Sequence, residues 1–261
     1  MKAHIGKRDI LMVTLDTLRF DAAQRAWRDG KLTNLAPYLG DGGWEKRHTP
    51  ASFTYAAHQA FFAGFLPTPI APGPHPRLFA SEFEGSVSTA DHTFIFPEAT
   101  LPEALAAVEY HTICVGGTGF FNQQNELSRV LPNLFHEAHW SPELGVACRD
   151  SESNQVNQAI KSLNQAGDRR CFLFLNISAM HQPNWFYANE SEVDDLESHT
   201  AALVAVDRAL GLLFDCLKKR GGAFAVVCSD HGTAYGEDGY EGHRIGHEVV
   251  WNVPYADFVI E

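Results

Sequence analysis

Asp230 and His231 stand side by side shortly after an apolar run, residues 223–227, in the stretch Cys228-Ser229-Asp230-His231-Gly232. A short apolar run bounded by glycines is typical of a buried β-strand. In open α/β sheets ligands bind at the carboxyl ends of strands, where an aspartate and a histidine can hold a divalent cation. The dipeptide alone is more typical of a strand-end turn in which Asp230 acts as a cap, and the rest of the chain has to decide.

Two further polar residues follow apolar runs in the same way. Asp16 comes after residues 10–15, and His181 comes shortly after residues 171–177. Continuous rather than alternating apolarity predicts strands buried on both faces, as in a parallel sheet. We therefore expect Asp16 and His181 at the same sheet edge as Asp230, although a surface or capping role is the alternative for His181.

Thr54 begins an alanine-rich stretch with no helix breaker before Gly64. We predict a short helix with Thr54 at or just before its N-terminus and Gly64 as its end. The free N–H groups and the positive dipole end at a helix N-terminus can bind a phosphoryl or sulfuryl group. The alternative is that Thr54 serves only as a helix cap.

A polar, glycine-rich segment, residues 235–247, carries His243 and His247 four positions apart. Gly242 and Gly246 disfavour a helix, so we expect a loop that folds over the site. The same composition is typical of a mobile surface loop in which the two histidines have no role.

Strands that alternate with helices must position these residues. Between the apolar runs 171–177 and 223–227, apolar residues repeat at helical spacing, and Gly221 ends this helix after a basic turn. We interpret Asp207, on that helix, as a structural or solvated carboxylate. The prolines of residues 66–77 predict an extended loop, a candidate rim or lid. The pattern as a whole predicts an α/β fold.

Composition limits the classes of function. The chain has 261 residues, of which 45% are hydrophobic and 20% charged, so it is long enough for a sizeable core. A net charge of −12 argues against nucleic acid or an anionic membrane as partner, and an anionic substrate needs a locally positive site such as a metal. An odd number of cysteines, five, indicates reduced thiols and a cytoplasmic protein. The first apolar run is too short for a signal peptide or membrane span.

Three segments together resemble the alkaline-phosphatase superfamily in its sulfatase-like branch. They are residues 10–19, residues 54–67, and residues 229–232 with 253–254. The resemblance implies a single catalytic domain over residues 1–261, with a three-layer α/β/α core and a mostly parallel sheet. Within the family the chain is most similar to a small intracellular bacterial subgroup.

The resemblance also implies roles for individual residues. A divalent cation, Zn or Mn by preference with Mg or Ca as alternatives, would be held by Asp16, Thr54, Asp230 and His231. The catalytic residues would be the nucleophile Thr54 together with His181 and His243, the last standing where sulfatases usually carry a lysine. The residues expected to bind the substrate are His58, Arg19 and His247.

The chain departs from sulfatases that use formylglycine, which need Cys or Ser followed by x-Pro-x-Arg. Residues 54–58 read Thr-Tyr-Ala-Ala-His, and threonine cannot be oxidised to an aldehyde. Thr17 replaces the second of two adjacent aspartates found in many sulfatases. A second metal would have only Asp195, His199 and His247 to draw on, so we expect one metal.

We therefore expect a metal-dependent hydrolase of phosphoric esters, of phosphatase or phosphodiesterase type, with a threonine nucleophile. A sulfuric-ester hydrolase that works without formylglycine and a phosphoryl-group transferase are alternatives. A non-catalytic metal-binding relative is the alternative of another class, which the joint presence of Asp16, Thr54, Asp230 and His231 disfavours. The expected partner is a small anionic ester, with no nucleic acid and no membrane span.

Overall fold

The computed structural model describes residues 1–64, 77–79, 93–95, 99–188 and 192–261. All the candidate site residues named above lie in these ranges. The loop predicted from its prolines lies outside the described residues, apart from its last position.

A seven-stranded sheet forms the centre of the described structure. The strands, in chain order, are β1 (Asp9–Leu15), β2 (Glu45–His48), β3 (Arg77–Phe79), β4 (Thr93–Ile95), β5 (His111–Val115), β6 (Glu137–His139), β7 (Cys171–Ile177), β8 (Ala223–Cys228), β9 (Ala234–Tyr235), β10 (Glu241–Gly242) and β11 (Asn252–Ile260). The sheet has the order β2-β11-β8-β1-β7-β5-β6. β11 runs antiparallel to both of its neighbours, β2 and β8, and the other neighbouring pairs are parallel. The mostly parallel sheet predicted from the sequence is confirmed.

Helices cover both faces of this sheet. In chain order they are α1 (Phe20–Arg28), α2 (Thr54–Ala63), α3 (Leu101–Ala107), α4 (Glu126–Val130), α5 (Ser151–Ala166), α6 (Leu196–Lys219) and α7 (Glu248–Trp251). Ala23, Val156 and Leu203 bring α1, α5 and α6 into one core, and Phe62 and Leu105 bring α2 and α3 into the other. The predicted three-layer α/β/α fold is confirmed. Among the described helices, none has the length and apolarity needed to cross a membrane.

The central strand β1 shows why the apolar runs are continuous. Leu11 and Val13 enter one core while Ile10 and Met12 enter the other, so every position of the strand is buried. A strand covered by helices on both sides has no face for water, and its sequence therefore does not alternate. β7 is likewise buried at all seven positions.

Candidate active site

Two aspartates and one histidine converge where β1 and β8 end. The strands are parallel neighbours, with Thr14 paired to Cys228, so the residues that follow them reach the same edge. The side-chain ligand atoms of Asp16, Asp230 and His231 lie within 4.8 Å of one another, and all three residues are fully buried. In the part of the chain that the structure describes, this is the one group of three or more such ligands.

The atoms of this cluster could hold a cation. Asp230 Oδ1 accepts from the backbone N–H groups of Thr17 (3.2 Å) and His231 (3.0 Å). Neither Oδ2 of Asp230 nor Oδ1 of Asp16 has a hydrogen-bond partner among the described residues, although both are buried. His231 donates its Nδ1–H to the carbonyl of Gly232 (2.9 Å), which leaves the Nε2 lone pair available. Unpaired carboxylate oxygens and an imidazole nitrogen are suitable ligands for a divalent cation.

The electrostatics of the cluster also favour a cation. Burial raises the pKa of Asp230 well above its ordinary value, and the charge of Asp16 raises it further. Burial acts in the same direction on Asp16, but the charges of His181 and His231 outweigh it and lower the pKa of that carboxyl. Without a cation, the protein therefore stabilises the charged form of Asp16 better than that of Asp230. A bound cation would stabilise the charged forms of both.

Thr54 is the first residue of α2, and its hydroxyl points into the cluster. Phe53 occupies the N-cap position and no side chain caps the helix, so Thr54 does not act as a cap. Thr54 Oγ1 lies 3.3 Å from Oδ2 of Asp16 and 3.3 Å from Nε2 of His231, and the residue is buried. The helix ends at Gly64, whose φ of 76° is left-handed and favours glycine. The predicted helix and both of its ends are confirmed.

His58 lies one helical turn after Thr54 and is completely buried. Its Nδ1–H donates to the Thr54 carbonyl (2.7 Å), and its Nε2 accepts from the hydroxyl of Thr14 (2.9 Å). Burial lowers the pKa of His58 to about 4, so the ring is neutral at pH 7. The ring lies behind Thr54 against Phe62 and Phe121, and its expected role in substrate binding stays a prediction.

His181 and His243 meet at a cavity of about 380 Å³ that opens beside Thr54. Their ring centroids are 5.6 Å apart, and the His243 ring lies 4.6 Å from that of His231. His181 donates its Nδ1–H to the Gln182 carbonyl (2.6 Å), which leaves its Nε2 for other contacts. Partial burial and the charges of the two neighbouring histidines lower the pKa of His243 to about 4. Because the His243 ring lies against those of His181 and His231, the loop that carries it folds over the site, as the sequence predicts.

Family comparison agrees with this geometry. The family described as Sulfatase matches residues 10–256, from the start of β1 into β11. This chain belongs to the sulfatase family. The matched range contains the whole cluster and Thr54. No curated protein matches the chain.

Solved structures share the fold of this sulfatase-family chain at low identity. The soluble domain of lipooligosaccharide phosphoethanolamine transferase A from Neisseria meningitidis has a TM-score of 0.65 at 15% identity, covering 97% of this chain and 77% of that one. The C-terminal periplasmic domain of EcEptC from Escherichia coli, in complex with Zn, has a TM-score of 0.62 at 13% identity, covering 97% and 73%. A protein of the alkaline phosphatase superfamily from Vibrio parahaemolyticus has a TM-score of 0.56 at 15% identity, covering 97% and 60%. The fold is alkaline-phosphatase-like.

Two residues predicted to bind substrate in this sulfatase-family protein have other partners. The Arg19 guanidinium donates from Nε and Nη2 to Asp21 (2.9 and 2.6 Å) and from Nη1 to Glu237. His247 precedes α7, where its Nδ1 accepts from the N–H of Val249 (3.2 Å). The structure brings neither side chain into the cluster, and their roles at a substrate stay predictions.

Two of the three residues considered for a second metal, Asp195 and His199, hold α6 in place instead. Asp195 is the N-cap of α6 and accepts from the N–H of Ser198 (2.8 Å). His199 is fully buried, donates its Nδ1–H to the Met180 carbonyl (3.2 Å) and accepts at Nε2 from the N–H of Arg19 (3.4 Å). Within the described ranges no second group of ligands is present.

The sequence reasoning missed Asn176, a fully buried residue of β7. Its Nδ2 donates to Oδ2 of Asp16 (3.1 Å), while its Oδ1 accepts from the N–H groups of Gly117 (3.3 Å) and Thr118 (3.2 Å). One amide therefore orients a carboxylate of the cluster and fixes the loop after β5, part of which lines the cavity. A polar residue inside an otherwise apolar strand is the signal that could have found it.

Thr17 holds the backbone that turns away from Asp16. Its φ of 62° is left-handed, which is uncommon for a β-branched residue. This conformation accompanies the hydrogen bond from the Thr17 N–H to Oδ1 of Asp230. The residue that replaces the second aspartate thus contributes its main chain to the cluster.

Proposed function

We propose that this protein is a metal-dependent hydrolase of phosphoric esters in which Thr54 is the nucleophile. The observation that carries the proposal is the position of Thr54 Oγ1, 3.3 Å from a carboxylate oxygen of Asp16 and 3.3 Å from Nε2 of His231. A hydroxyl held by a cation-binding cluster and an adjacent base is the arrangement that activates an alcohol nucleophile.

The cluster would hold one cation through Asp16, Asp230 and His231. Their mixed oxygen and nitrogen ligands suit Zn or Mn. When bound, a divalent cation lowers the pKa of a nearby hydroxyl and offsets negative charge on phosphoryl oxygens. Such charge compensation is needed, because a protein of net charge −12 would otherwise repel an anionic ester.

Residues of the chain carry out the attack on phosphorus and the proton transfers. Thr54 transfers its hydroxyl proton to Oδ2 of Asp16 as Oγ1 forms a bond to phosphorus. In the same step the bond between phosphorus and the leaving oxygen breaks. His181, at the cavity, is placed to deliver a solvent proton to that leaving oxygen. Water then attacks phosphorus of the phosphothreonine, the bond between Oγ1 and phosphorus breaks, and the proton held by Asp16 returns to Oγ1. The product leaves as phosphate from a monoester or as a phosphate monoester from a diester.

Transfer of the phosphorylated group to another hydroxyl is the second candidate function. A structure that shares the fold over 97% of this chain is that of a phosphoethanolamine transferase. The phosphothreonine step is common to both reactions, and only the acceptor, water or an alcohol, differs. Cleavage of sulfuric esters without formylglycine would use the same residues on another ester.

Turnover of matched aryl esters tests the proposal. The protein, loaded with Zn²⁺ or Mn²⁺, is assayed on p-nitrophenyl phosphate, bis-p-nitrophenyl phosphate and p-nitrophenyl sulfate. We expect turnover of a phosphate ester, its retention in Thr54→Ser, and a fall in kcat of about 10³-fold or more in Thr54→Ala. Thr200→Ala, a change on α6 where the hydroxyl bonds only its own helix backbone, is the control and should be fully active.

Three outcomes separate the alternatives. Full activity of Thr54→Ala would refute the nucleophile. Faster cleavage of the sulfate than of either phosphate would select the sulfatase alternative. Acid quenching should trap phosphate on the peptide that contains Thr54, and diversion of that phosphate to added glycerol or ethanolamine, in preference to water, would select the transferase.

A further inference from the structure

The cavity beside Thr54 has an unusual lining for a protein that handles anions. Its volume of about 380 Å³ lies near the lower end of the range for small-molecule sites, roughly 300–1,000 Å³. Thr54, His181 and His243 line the end where the ester would react. Among the described residues, every other side chain that lines it is uncharged, with no lysine, arginine, aspartate or glutamate.

Part of this lining is apolar and close to the nucleophile. Phe120, Leu127 and Val146 contribute it, and the Phe120 ring packs against Tyr55 of α2 at a centroid distance of 5.6 Å. Leu127 is 49% exposed on α4, although it contacts the cavity. An aryl or alkyl group of a ligand would bury apolar surface against these side chains.

The polar part of the lining presents donors. Asn122 accepts at Oδ1 from the N–H of Gln124 (3.0 Å), and Asn125 accepts at Oδ1 from the N–H of Ser128 (3.0 Å). Each of these oxygens already accepts one hydrogen bond, whereas neither amide nitrogen donates to another described residue, so the nitrogens are the donors left for a ligand. Amide N–H groups bind hydroxyl and ether oxygens well, but they supply no counter-charge to a carboxylate or a second phosphate.

We propose that this cavity binds the alcohol part of the ester and selects an uncharged one, aryl or hydroxylated. The proposal rests on the proposed function. A second anionic group would lose its hydration in a cavity whose described lining has no cationic side chain, inside a protein of net charge −12. No counter-charge beyond the cation that holds the phosphoryl group would offset its desolvation. Esters of neutral alcohols are therefore the substrate class, and nucleoside polyphosphates are excluded.

Two aryl phosphates that differ only in one ring substituent, a carboxamide or the isosteric carboxylate, test this selection. We expect kcat/KM to be about tenfold or more lower for the carboxylate. Leu127→Lys places a cation at the cavity wall and should bring the two values together. Val130→Lys adds the same charge on the same helix at an exposed position outside the lining, and should leave the ratio unchanged. Equal values in the wild type, or equal effects of both lysines, would overturn the proposal.

Binding separates this proposal from the proposed function. Non-hydrolysable phosphonates with the same two rings are titrated calorimetrically into the metal-loaded protein. Tighter binding of the carboxamide without turnover of either ester would support the selection and overturn the hydrolase. Turnover of both esters, with equal affinity for the two phosphonates, would support the hydrolase and overturn the selection of an uncharged alcohol. Circular dichroism of both lysine variants checks that they fold, which we expect because both positions are exposed.

Discussion

The Nε2 atom of His58 lies 2.9 Å from Oγ1 of Thr14, a residue 44 positions away on the strand that leads to Asp16. On its other side the same ring donates to the Thr54 carbonyl (2.7 Å). One buried imidazole therefore connects the helix that starts with Thr54 to the strand that leads to Asp16. We infer from these two hydrogen bonds that His58 positions Thr54.

Replacing His58 by phenylalanine keeps the size of the ring but removes both hydrogen bonds. We expect kcat to fall about 10- to 100-fold with little change in KM, because Thr54 would lose its fixed position while the cavity stays intact. The free energy of unfolding should fall by about 1–3 kcal/mol. Steady-state kinetics and urea unfolding measure these effects, and Thr14→Ser, which keeps the hydroxyl, is the control. A raised KM at constant kcat would instead support substrate binding by His58.

Metal removal should destabilise the protein, because two buried carboxylates would face each other uncompensated. Asp230→Asn removes one charge, so we expect the metal-free variant to be at least as stable as the metal-free wild type and to gain little from Zn²⁺. The wild type should gain about 2.7 kcal/mol at a Zn²⁺ concentration of 100 times Kd. Thermal unfolding with chelator and with Zn²⁺ measures the difference.

Asp207 provides the matched control for that experiment. Asp207 is as buried as Asp230, but its carboxylate accepts hydrogen bonds from the backbone N–H groups of Thr33 (2.8 Å), Asn34 (3.0 Å) and Leu35 (2.8 Å). These three bonds confirm that Asp207 is a structural carboxylate. Asp207→Asn should lower stability with and without metal and leave the gain from Zn²⁺ unchanged. If Asp230→Asn keeps the full gain from Zn²⁺, the cluster is not the metal site.

Asn176→Leu should weaken metal binding through Asp16, which it no longer orients. We expect a loss of about 10- to 100-fold in Zn²⁺ affinity, the usual effect of removing a residue that orients a ligand. Asn184→Leu removes an equally buried amide, one that donates to the Met180 carbonyl (2.8 Å), and should reduce stability without changing that affinity. Competition with a chromophoric chelator measures it, and equal affinities in the two variants would contradict the role given to Asn176.

His199 should make stability depend on pH. Burial, helped by the charge of Arg19, lowers the pKa of His199 from 6.5 to about 4. Below about pH 6.5 the unfolded chain binds a proton at His199 that the folded protein does not bind. The free energy of unfolding therefore has its full value above that pH and decreases as the pH falls towards 4, by about 3 kcal/mol from this residue. His199→Gln should flatten the dependence of urea unfolding on pH, whatever its effect at neutral pH. Curves of equal slope would show that His199 does not titrate in this way.

The central strands could be predicted because burial on both faces leaves a continuous apolar run. β1, β7 and β8 follow such runs closely. β2 gives no such signal, since all four of its residues are exposed and all four are charged or basic. It forms because its backbone pairs with β11, with His48 opposite Asn252, and backbone pairing is independent of side-chain pattern. The α4 segment was missed for a related reason, because a helix of five residues is too short to show a period.

The sequence by itself determined which residues come at strand ends, and so predicted that Asp16, Asp230 and His231 would share one edge. It also placed Thr54 at a helix N-terminus. Only the tertiary structure decided which way the other side chains face: His58 lies behind Thr54, and Arg19 points to the carboxylates of Asp21 and Glu237. The physical reason is that local periodicity records burial, whereas contacts between distant segments depend on strand register and packing, which no single segment encodes.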